Sequence, residues 1–425
     1  MSEESTLALE AIREKLVGKK LNYKEIYAVM DEIAHKRLGD VLTTYFAASG
    51  YSKGFSAEEI YYLTKAMVAT GEQLHFKGIV ADKHSIGGIS GTRTTMIVVP
   101  IIASAGFTIP KSSSRAITTP GGTADDMEVI APVIFSKEQI YKIVEKTNGC
   151  IVWGGSFNIA PADDVLIQVE APLLFESFDK VLVSIMAKKI AFGSNHVVID
   201  LPYGKLVKVH NLSDAEELKK KFEQLATKFD VKIKVLLHKT DEPAGRGIGP
   251  LLEAKEALRV LEQKIDRPID LEERALNLAG TLLDMCLCDS PKSLQEKIKK
   301  EFGAGRDWAQ HILSSGTAHK KMQDIIHAQG GNRDITSEML KPGKYTHAIF
   351  ATHSGTVNQI QVPNTTILAK ILGAPVRKRA GIYLDKKIGE KVEKHDILCT
   401  LYTDSQANLK EAIDTVKNLK LFTIE

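Results

Sequence analysis

Two polar segments flanking an apolar run constrain this chain more than any other feature. Residues 83–88 are Lys-His-Ser-Ile-Gly-Gly, and residues 112–128 begin Ser-Ser-Ser-Arg and contain Pro-Gly-Gly-Thr. Between them, residues 96–106 are Met-Ile-Val-Val-Pro-Ile-Ile-Ala-Ser-Ala-Gly. Glycine backbone N–H groups approach an anion closely, and hydroxyls and lysine complete its coordination. We therefore predict two polar loops that converge at one end of a buried segment and bind phosphate.

Composition excludes several classes of partner. The chain has 425 residues, enough for more than one domain, and 56 basic against 53 acidic residues. This near-balance gives no reason to expect nucleic acid or a membrane surface. No apolar run is long enough for a membrane span, and the acidic start Met1-Ser-Glu-Glu is unlike a signal peptide. We predict a cytoplasmic protein whose four cysteines are reduced and structural. We also predict that the protein binds no metal, since no cluster of ligands has metal-site spacing.

Periodicity and capping patterns predict an α/β fold. Residues 5–75 have helical patterns, with a capping box at Ser56, and a second capping box starts a helix at Ser136. Ser213 is predicted to cap a helix between strands 196–200 and 231–237. Such strand–helix–strand alternation indicates a mostly parallel sheet. Gly245-Arg-Gly-Ile-Gly lacks dinucleotide-loop spacing and is predicted to be a close-packing loop at the edge of a cleft. From about residue 345, short β-like runs predict a small β-rich α+β domain closed by a helix over 406–417.

Six motifs in series resemble one family. They are the two segments above, Trp153-Gly-Gly, Ala160-Pro-Ala-Asp-Asp, Ser184-Ile-Met-Ala-Lys-Lys and Pro243-Ala-Gly-Arg-Gly-Ile-Gly-Pro. Together they resemble the thymidine/pyrimidine-nucleoside phosphorylase family, and within it the branch of AMP phosphorylases and type 2 thymidine phosphorylases. That branch carries an additional N-terminal domain, and we expect this chain to begin after it.

The resemblance implies three domains and a homodimer. The helical domain, which carries the dimer contacts and the base side of the site, would comprise residues 1–75 and 160–195. The phosphate-binding α/β domain, with its mostly parallel sheet, would comprise residues 76–159 and 196–335. Residues 345–425 would form the C-terminal β-rich domain.

The resemblance also implies which residues hold the substrates. The matching phosphate ligands are Lys83, Ser85, Ser113 and Thr123. A further hydroxyl ligand of the family matches either Thr94 or Thr95, and both stay open because the loop here is longer than in the family. His84 matches a residue beside sugar and base, where it stabilises or protonates the leaving group, a role suited to the pKa of histidine. Ser184 and Lys188, four apart on one helix face, match contacts to the base carbonyls. The matching nucleotide-binding residues are Gly88, Ser114, Arg115, Ala116, Ile117, Thr118, Thr119 and Lys208.

Two positions leave alternatives open. Arg115 either shapes the loop around ribose and phosphate or pairs with Asp125 or Glu128. Glu176 stands where AMP phosphorylases have an Asp that protonates the departing base, but pyrimidine phosphorylases carry this Glu together with a base-binding Arg. Gln168 is the nearest residue to that Arg here. The catalytic candidates are therefore His84, Glu176 and Lys188, and the base stays unassigned.

The predicted function is phosphorolysis of a nucleoside 5′-monophosphate or nucleoside, with orthophosphate as co-substrate and no cofactor. A thymidine/pyrimidine-nucleoside phosphorylase is the first alternative. A second alternative is a phosphoribosyltransferase of the anthranilate type, which resembles this family in fold and would bind phosphoribosyl pyrophosphate with Mg²⁺. A catalytically inactive nucleotide-binding protein and a purely structural interaction protein also remain open.

Overall fold

Helices from two separate stretches of the chain pack together at one end of the molecule. The computed structural model describes residues 3–87, 89–116, 119–170 and 177–425. The helices of this layer are α1 (Glu3–Leu16), α2 (Tyr23–Ala34), α3 (Gly39–Lys53), α4 (Ala57–Ala69), α8 (Pro161–Glu170) and α9 (Phe178–Ala191). The capping box predicted at Ser56 is confirmed, because its hydroxyl accepts from the N–H of Glu59 while the Glu59 carboxylate accepts from the N–H of Ser56. That carboxylate also pairs with buried Lys15 at 2.7 Å.

The mostly parallel sheet is confirmed. Strands β1 (Ala81–Ser85), β4 (His196–Tyr203) and β5 (Lys232–Lys239) pair in parallel, as do β2 (Ile109–Ser113) and β3 (Gly149–Trp153). A parallel bridge between Val80 and Thr108 places β2 beside β1. Strand β4 is buried on both faces: Val197 and Ile199 contribute to the core shared with the helical layer, and Val198 to the core on the opposite face.

The opposite face of the sheet is covered by helices. These are α5 (Thr95–Ser104), α6 (Thr123–Met127), α11 (Pro250–Leu261), α12 (Ile269–Cys288), α13 (Lys292–Glu301), α14 (Gly305–Ser314) and α15 (Thr317–Ala328). Helix α7 (Lys137–Thr147) belongs to a separate small core with Val152 of β3 and Phe192 after α9. The apolar run 96–106 is helix α5, buried over Thr95–Ala103. Helix α10 (Leu212–Thr227) packs instead on the side of the helical layer. Its predicted cap at Ser213 is wrong, because Asn211 accepts the N–H of Asp214 and starts the helix earlier.

The C-terminal part is a β-rich α+β unit, as predicted. Its elements are β7 (Tyr345–Phe350), β8 (Gly355–Ile360), α16 (Val362–Ile371), β9 (Gly381–Leu384), β10 (Lys391–Val392), β11 (Ile397–Thr403), α17 (Gln406–Val416) and β12 (Phe422–Ile424). A further strand, β6 (Gly247–Ile248), comes from the glycine loop predicted at a cleft edge. Together these strands form two antiparallel sheets, of order β6-β9-β11-β7 and β10-β8-β12. The glycine loop therefore does pack closely, and it joins the α/β part to the C-terminal sheet.

The predicted domain boundaries remain a proposal; each falls in a connection between helices or strands. Among the residues described, none of the helices is long and apolar enough to cross a membrane.

Candidate functional site

Lys83 is the centre of the polar cluster at the carboxyl end of β1. Its side chain is only 1% exposed, and its ammonium contacts the hydroxyls of Ser85, Thr94 at 2.6 Å and Thr95 at 3.4 Å. We predicted a loop for residues 83–85, and the structure places them on a strand instead. Side chains alternate along a strand, so Lys83 and Ser85 point to the same face, towards the first turn of α5. The amine and three hydroxyls thus converge where an anion would be held.

Asp200 holds this cluster from the neighbouring strand. It is the register partner of Ser85 and accepts its hydroxyl at 2.7 Å, while the Lys83 ammonium lies 3.9 Å away. Arg274 of α12 and His238 of β5 contact the other carboxylate oxygen at 3.2 Å and 2.6 Å. Burial opposes ionisation of this carboxyl, but Arg274 and His238 outweigh it and hold the pKa of Asp200 well below its usual range.

The pKa of Lys83 is lowered to about 8, chiefly by burial and partly offset by the charge of Asp200. The amine therefore remains mostly protonated at neutral pH, and an arriving anion meets a poorly solvated cation. Such a cation attracts an anion more strongly than a solvated surface lysine does.

The other face of β1 carries Asp82 and His84, which point towards α9. The buried ammonium of Lys189 pairs with Asp82 at 2.6 Å, Ser194 donates to the same carboxylate at 3.2 Å, and buried Lys111 lies 3.8 Å from it. Burial, then the positive charges of Lys189 and Lys111, lower the pKa of His84 well below its ordinary value. His84 is therefore a neutral imidazole in the free protein.

A second polar group joins α8 to α9. Lys188 contacts Asp163 at 2.6 Å, and Ser184 donates to the same carboxylate oxygen at 2.8 Å. The Lys188 ammonium also lies 3.5 Å from the Ser184 hydroxyl, as their spacing on one helix face requires. Burial alone would lower the pKa of Lys188, but the charge and hydrogen bond of Asp163 outweigh it and raise that pKa above its ordinary value. Glu176 lies outside the described residues, so its relation to this group stays a prediction.

The second predicted segment starts on a strand rather than in a loop. Ser112 and Ser113 end β2, and a buried Ser113 hydroxyl has no hydrogen-bond partner among the described residues. The backbone carbonyl of Ser114 accepts the N–H of Ala124, and Thr123 is the first residue of α6. Because β1 and β2 are parallel neighbours, Ser113 lies at the same edge of the sheet as Ser85.

Arg115 adopts the alternative we left open, pairing with acids. Its guanidinium contacts Asp125 at 3.1 Å and Glu128 at 2.6 Å, and it lies 5.0 Å from the ring centre of Trp153. The backbone N–H of Ala116 donates to Asp125 at 2.7 Å, and the hydroxyl of Thr119 donates to the carbonyl of Gly121 at 2.8 Å.

Four candidates remain, Lys208 and three residues that the structure does not describe. Lys208 lies in the connection between β4 and α10, next to Val209, which bridges Tyr203. Gly88, Ile117 and Thr118 lie outside the described residues, and their roles stay predictions.

Motifs alone did not identify the acids that organise the site, Asp82, Asp163 and Asp200, or buried Lys189. Asp163 stood within a quoted motif, Asp82 directly precedes Lys83, and Asp200 ends a predicted strand. The pattern that could have identified Asp200 is its register with Ser85, which follows once β1 and β4 are paired. Over the described ranges, no group of three or more His, Cys, Asp or Glu side chains could hold a metal ion.

Comparison with known proteins agrees with the fold and the motifs. The family description "Glycosyl transferase family, a/b domain" matches residues 77–319, its helical bundle domain matches residues 9–71, and "Pyrimidine nucleoside phosphorylase C-terminal domain" matches residues 356–421. The fold also resembles the crystal structure of anthranilate phosphoribosyltransferase from Thermus thermophilus, with a TM-score of 0.59 and 17% identity over 75% of this chain and 99% of that one.

Similar sequences extend over nearly the whole chain. An AMP phosphorylase of Thermofilum pendens is 44% identical over 95% of this chain and 76% of its own length. That of Methanocaldococcus jannaschii is 41% identical over 99% of this chain and 82% of its own. A Legionella pneumophila (strain Paris) protein, provisionally named a thymidine phosphorylase, is 42% identical over 97% of this chain and 77% of its own.

Proposed function

Because the chain belongs to the glycosyl transferase family that includes the AMP and thymidine phosphorylases, we propose that it is a pentosyltransferase. It catalyses reversible phosphorolysis of the N-glycosidic bond of a nucleoside 5′-monophosphate or nucleoside. The products are the free base and a pentose 1-phosphate. Orthophosphate is the co-substrate and no cofactor takes part.

The observation that carries this proposal is the buried ammonium of Lys83 among three hydroxyls. The Lys83 side chain is 1% exposed, and its ammonium lies 3.9 Å from the carboxylate of Asp200. Such a buried cation is well suited to bind a small anion through charge-assisted hydrogen bonds. Ser113, whose buried hydroxyl lacks a partner among the described residues, supplies a further donor at the same sheet edge. Lys83, Ser85, Thr94, Thr95, Ser113 and Thr123 are the proposed phosphate ligands.

In the proposed reaction, a phosphate oxygen bonds to the anomeric carbon as the carbon–nitrogen bond breaks. The electron pair of that bond leaves with the base, and the negative phosphate stabilises the oxocarbenium-like transition state. Ser184 and Lys188 bind the base, and Asp163 orients both through its hydrogen bonds. His84 donates an N–H to the leaving group as a neutral imidazole, and Glu176 supplies the proton to a departing purine.

A pyrimidine nucleoside is the second candidate substrate. The Ser184 hydroxyl and the Lys188 ammonium are 3.5 Å apart, which suits two carbonyls of one pyrimidine ring. We nevertheless expect purine nucleosides or nucleotides to be cleaved at least as well as thymidine, because a carboxylic acid at position 176 can supply the proton that a departing purine needs.

The proposal includes a cytoplasmic homodimer. Four free cysteines, three of them buried, agree with a reducing compartment. Sedimentation of the purified chain would test the dimer.

The activity is tested by incubating the protein with AMP, adenosine, guanosine, uridine and thymidine, each with and without orthophosphate. We expect free base to appear only with phosphate. Transfer of phosphoribose from phosphoribosyl pyrophosphate to an added acceptor such as anthranilate, with Mg²⁺ and with release of pyrophosphate, would instead indicate the phosphoribosyltransferase. Binding without turnover would indicate an inactive nucleotide-binding protein.

A further inference from the structure

Lys378 extends from the C-terminal part of the chain to the segment that follows β2. It lies in the connection between α16 and β9, and its backbone carbonyl accepts the N–H of Leu251 at 3.0 Å. Its ammonium contacts Asp125 at 2.8 Å and Glu128 at 2.9 Å. A residue of a different domain thus touches both acids that also bind Arg115.

The four side chains form a closed group of two cations and two carboxylates. Arg115 contacts both carboxylates, through bonds of 3.1 Å to Asp125 and of 2.6 Å and 2.7 Å to Glu128. Hydrogen bonding to Arg115 lowers the pKa of Glu128 to about 2, and despite its burial the contacts of Asp125 with Lys378 lower its pKa as well. Both acids are therefore ionised at neutral pH, and the group carries no net charge.

This group stands at the base of the substrate segment. The second oxygen of Asp125 accepts the N–H of Ala116 at 2.7 Å and that of Gly122 at 3.1 Å, so it joins the two ends of the loop 116–122. The loop lies between Ser113 on β2 and Thr123 on α6, both proposed phosphate ligands. Arg115 lies two residues after Ser113, and 31% of its side chain is exposed. A substrate could therefore reach its guanidinium.

We propose that Lys378 is a positioning residue that frees Arg115 to bind an anionic group of the substrate, the 5′-phosphate of a nucleotide. If Arg115 turned away alone, Asp125, which is 3% exposed, would lose a cation in a poorly solvated place. Because Lys378 bridges both carboxylates, each keeps a positive partner when Arg115 moves. This inference rests on the proposed function and adds to it a role for the C-terminal domain in selecting nucleotides over nucleosides.

The test compares Lys378→Met with the wild type and with Lys378→Arg. We measure kcat/KM for AMP and for adenosine, and likewise for uridine 5′-monophosphate and uridine, and take the ratio of nucleotide to nucleoside. Without Lys378, Arg115 is the single cation for two carboxylates and stays bound to them. We expect the ratio to fall about tenfold in Lys378→Met and to recover in Lys378→Arg, as is typical of charge pairs near a binding site.

Lys386→Met is the matched control. Lys386 belongs to the same domain, is 26% exposed compared with 28% for Lys378, and pairs with Asp396 at 3.1 Å away from the loop. Its ratio should equal that of the wild type. An unchanged ratio in Lys378→Met, an equal fall in the control, or a wild type that cleaves nucleosides but no nucleotide would each overturn the inference.

A binding measurement separates this inference from the proposed activity. The chain has two tryptophans, so a Trp308→Phe background leaves the fluorescence of Trp153, which reports on the stacked Arg115. Titration with AMP in the absence of phosphate should change this fluorescence, and Lys378→Met should require about tenfold more AMP. No turnover of any substrate would refute the proposed function, whereas equal AMP affinities in the two proteins would refute the role of Lys378.

Discussion

Replacing Lys83 with alanine tests the proposed phosphate site at its centre. The variant loses a buried ammonium that contacts three hydroxyls and lies 3.9 Å from Asp200. A charge-assisted hydrogen bond to a bound anion contributes about 1.5–3 kcal/mol, and stabilisation of the transition state adds to it. We expect a loss of about 2–4 kcal/mol, or roughly 30- to 900-fold in kcat/KM for phosphate.

The folded state should tolerate this change, because Asp200 keeps Arg274 and His238 as partners. Steady-state rates at varied phosphate, with nucleoside saturating, give the effect. Lys83→Met removes the charge with little change in volume and should lose as much as Lys83→Ala. Lys15→Met is the control, because Lys15 is a similarly buried lysine paired with Glu59 in the helical layer, and its loss should lower stability but not phosphate affinity. Wild-type phosphate kinetics in Lys83→Ala would remove Lys83 from the site.

Three further changes probe the same site. The pKa of Lys83 in the folded protein is about 8, below its ordinary value of 10.5, so kcat/KM for phosphate should fall about tenfold per pH unit above pH 8 as the ammonium loses its proton. Between pH 8 and pH 10.5 the Lys83 amine is protonated in the unfolded chain but not in the folded protein, so its contribution to the free energy of unfolding should rise with pH. A kcat/KM for phosphate that does not change over this range would contradict the role of Lys83. Asp200→Asn removes the carboxylate shared by Lys83, Arg274 and His238 and should lower the free energy of unfolding by about 3–5 kcal/mol, measured by urea denaturation, as well as weaken phosphate binding; an unchanged urea midpoint would show that the network is not needed. Glu176→Gln should reduce purine cleavage by roughly 10²–10⁴-fold with phosphate affinity nearly unchanged, the scale of losing a general acid; full purine activity in that variant would show that Glu176 is not the acid, and a wild type that cleaves only uridine and thymidine would favour the pyrimidine assignment, with Ser184 and Lys188 on the base.

Local patterns predicted much of the fold because their causes are local. The capping boxes at Ser56 and Ser136 depend on side chains three residues apart, and both form as predicted. The parallel sheet followed from alternating strands and helices. Ser213 was a wrong cap because Asn211, two residues earlier, offers the same chemistry to the N–H of Asp214.

The polar strand β1 could not be predicted from its own residues. A segment of Lys, His and Ser looks like a loop, since polar side chains are costly to bury alone. Here their partners come from distant parts of the chain: Asp200 contacts Ser85 across 115 residues, and Lys189 contacts Asp82 across 107. Arg115 differs, because its two carboxylates are close in sequence and were named as one alternative; only their other partner, Lys378 of the C-terminal domain, is distant. Individual motifs indicated the candidate site, but the acids that contact its side chains became visible only with the pairing of strands and helices.

The most direct test of the central claim is to follow the phosphorus atom of the co-substrate. The protein is incubated with adenosine or uridine and orthophosphate, and the products are identified by phosphorus NMR. If the buried Lys83 cluster delivers phosphate to the anomeric carbon, a pentose 1-phosphate signal should grow in equal amount with the free base, and Lys83→Ala should abolish most of both. Free base accompanied by unphosphorylated pentose, with the orthophosphate signal unchanged, would mean that water attacks instead and would contradict the account.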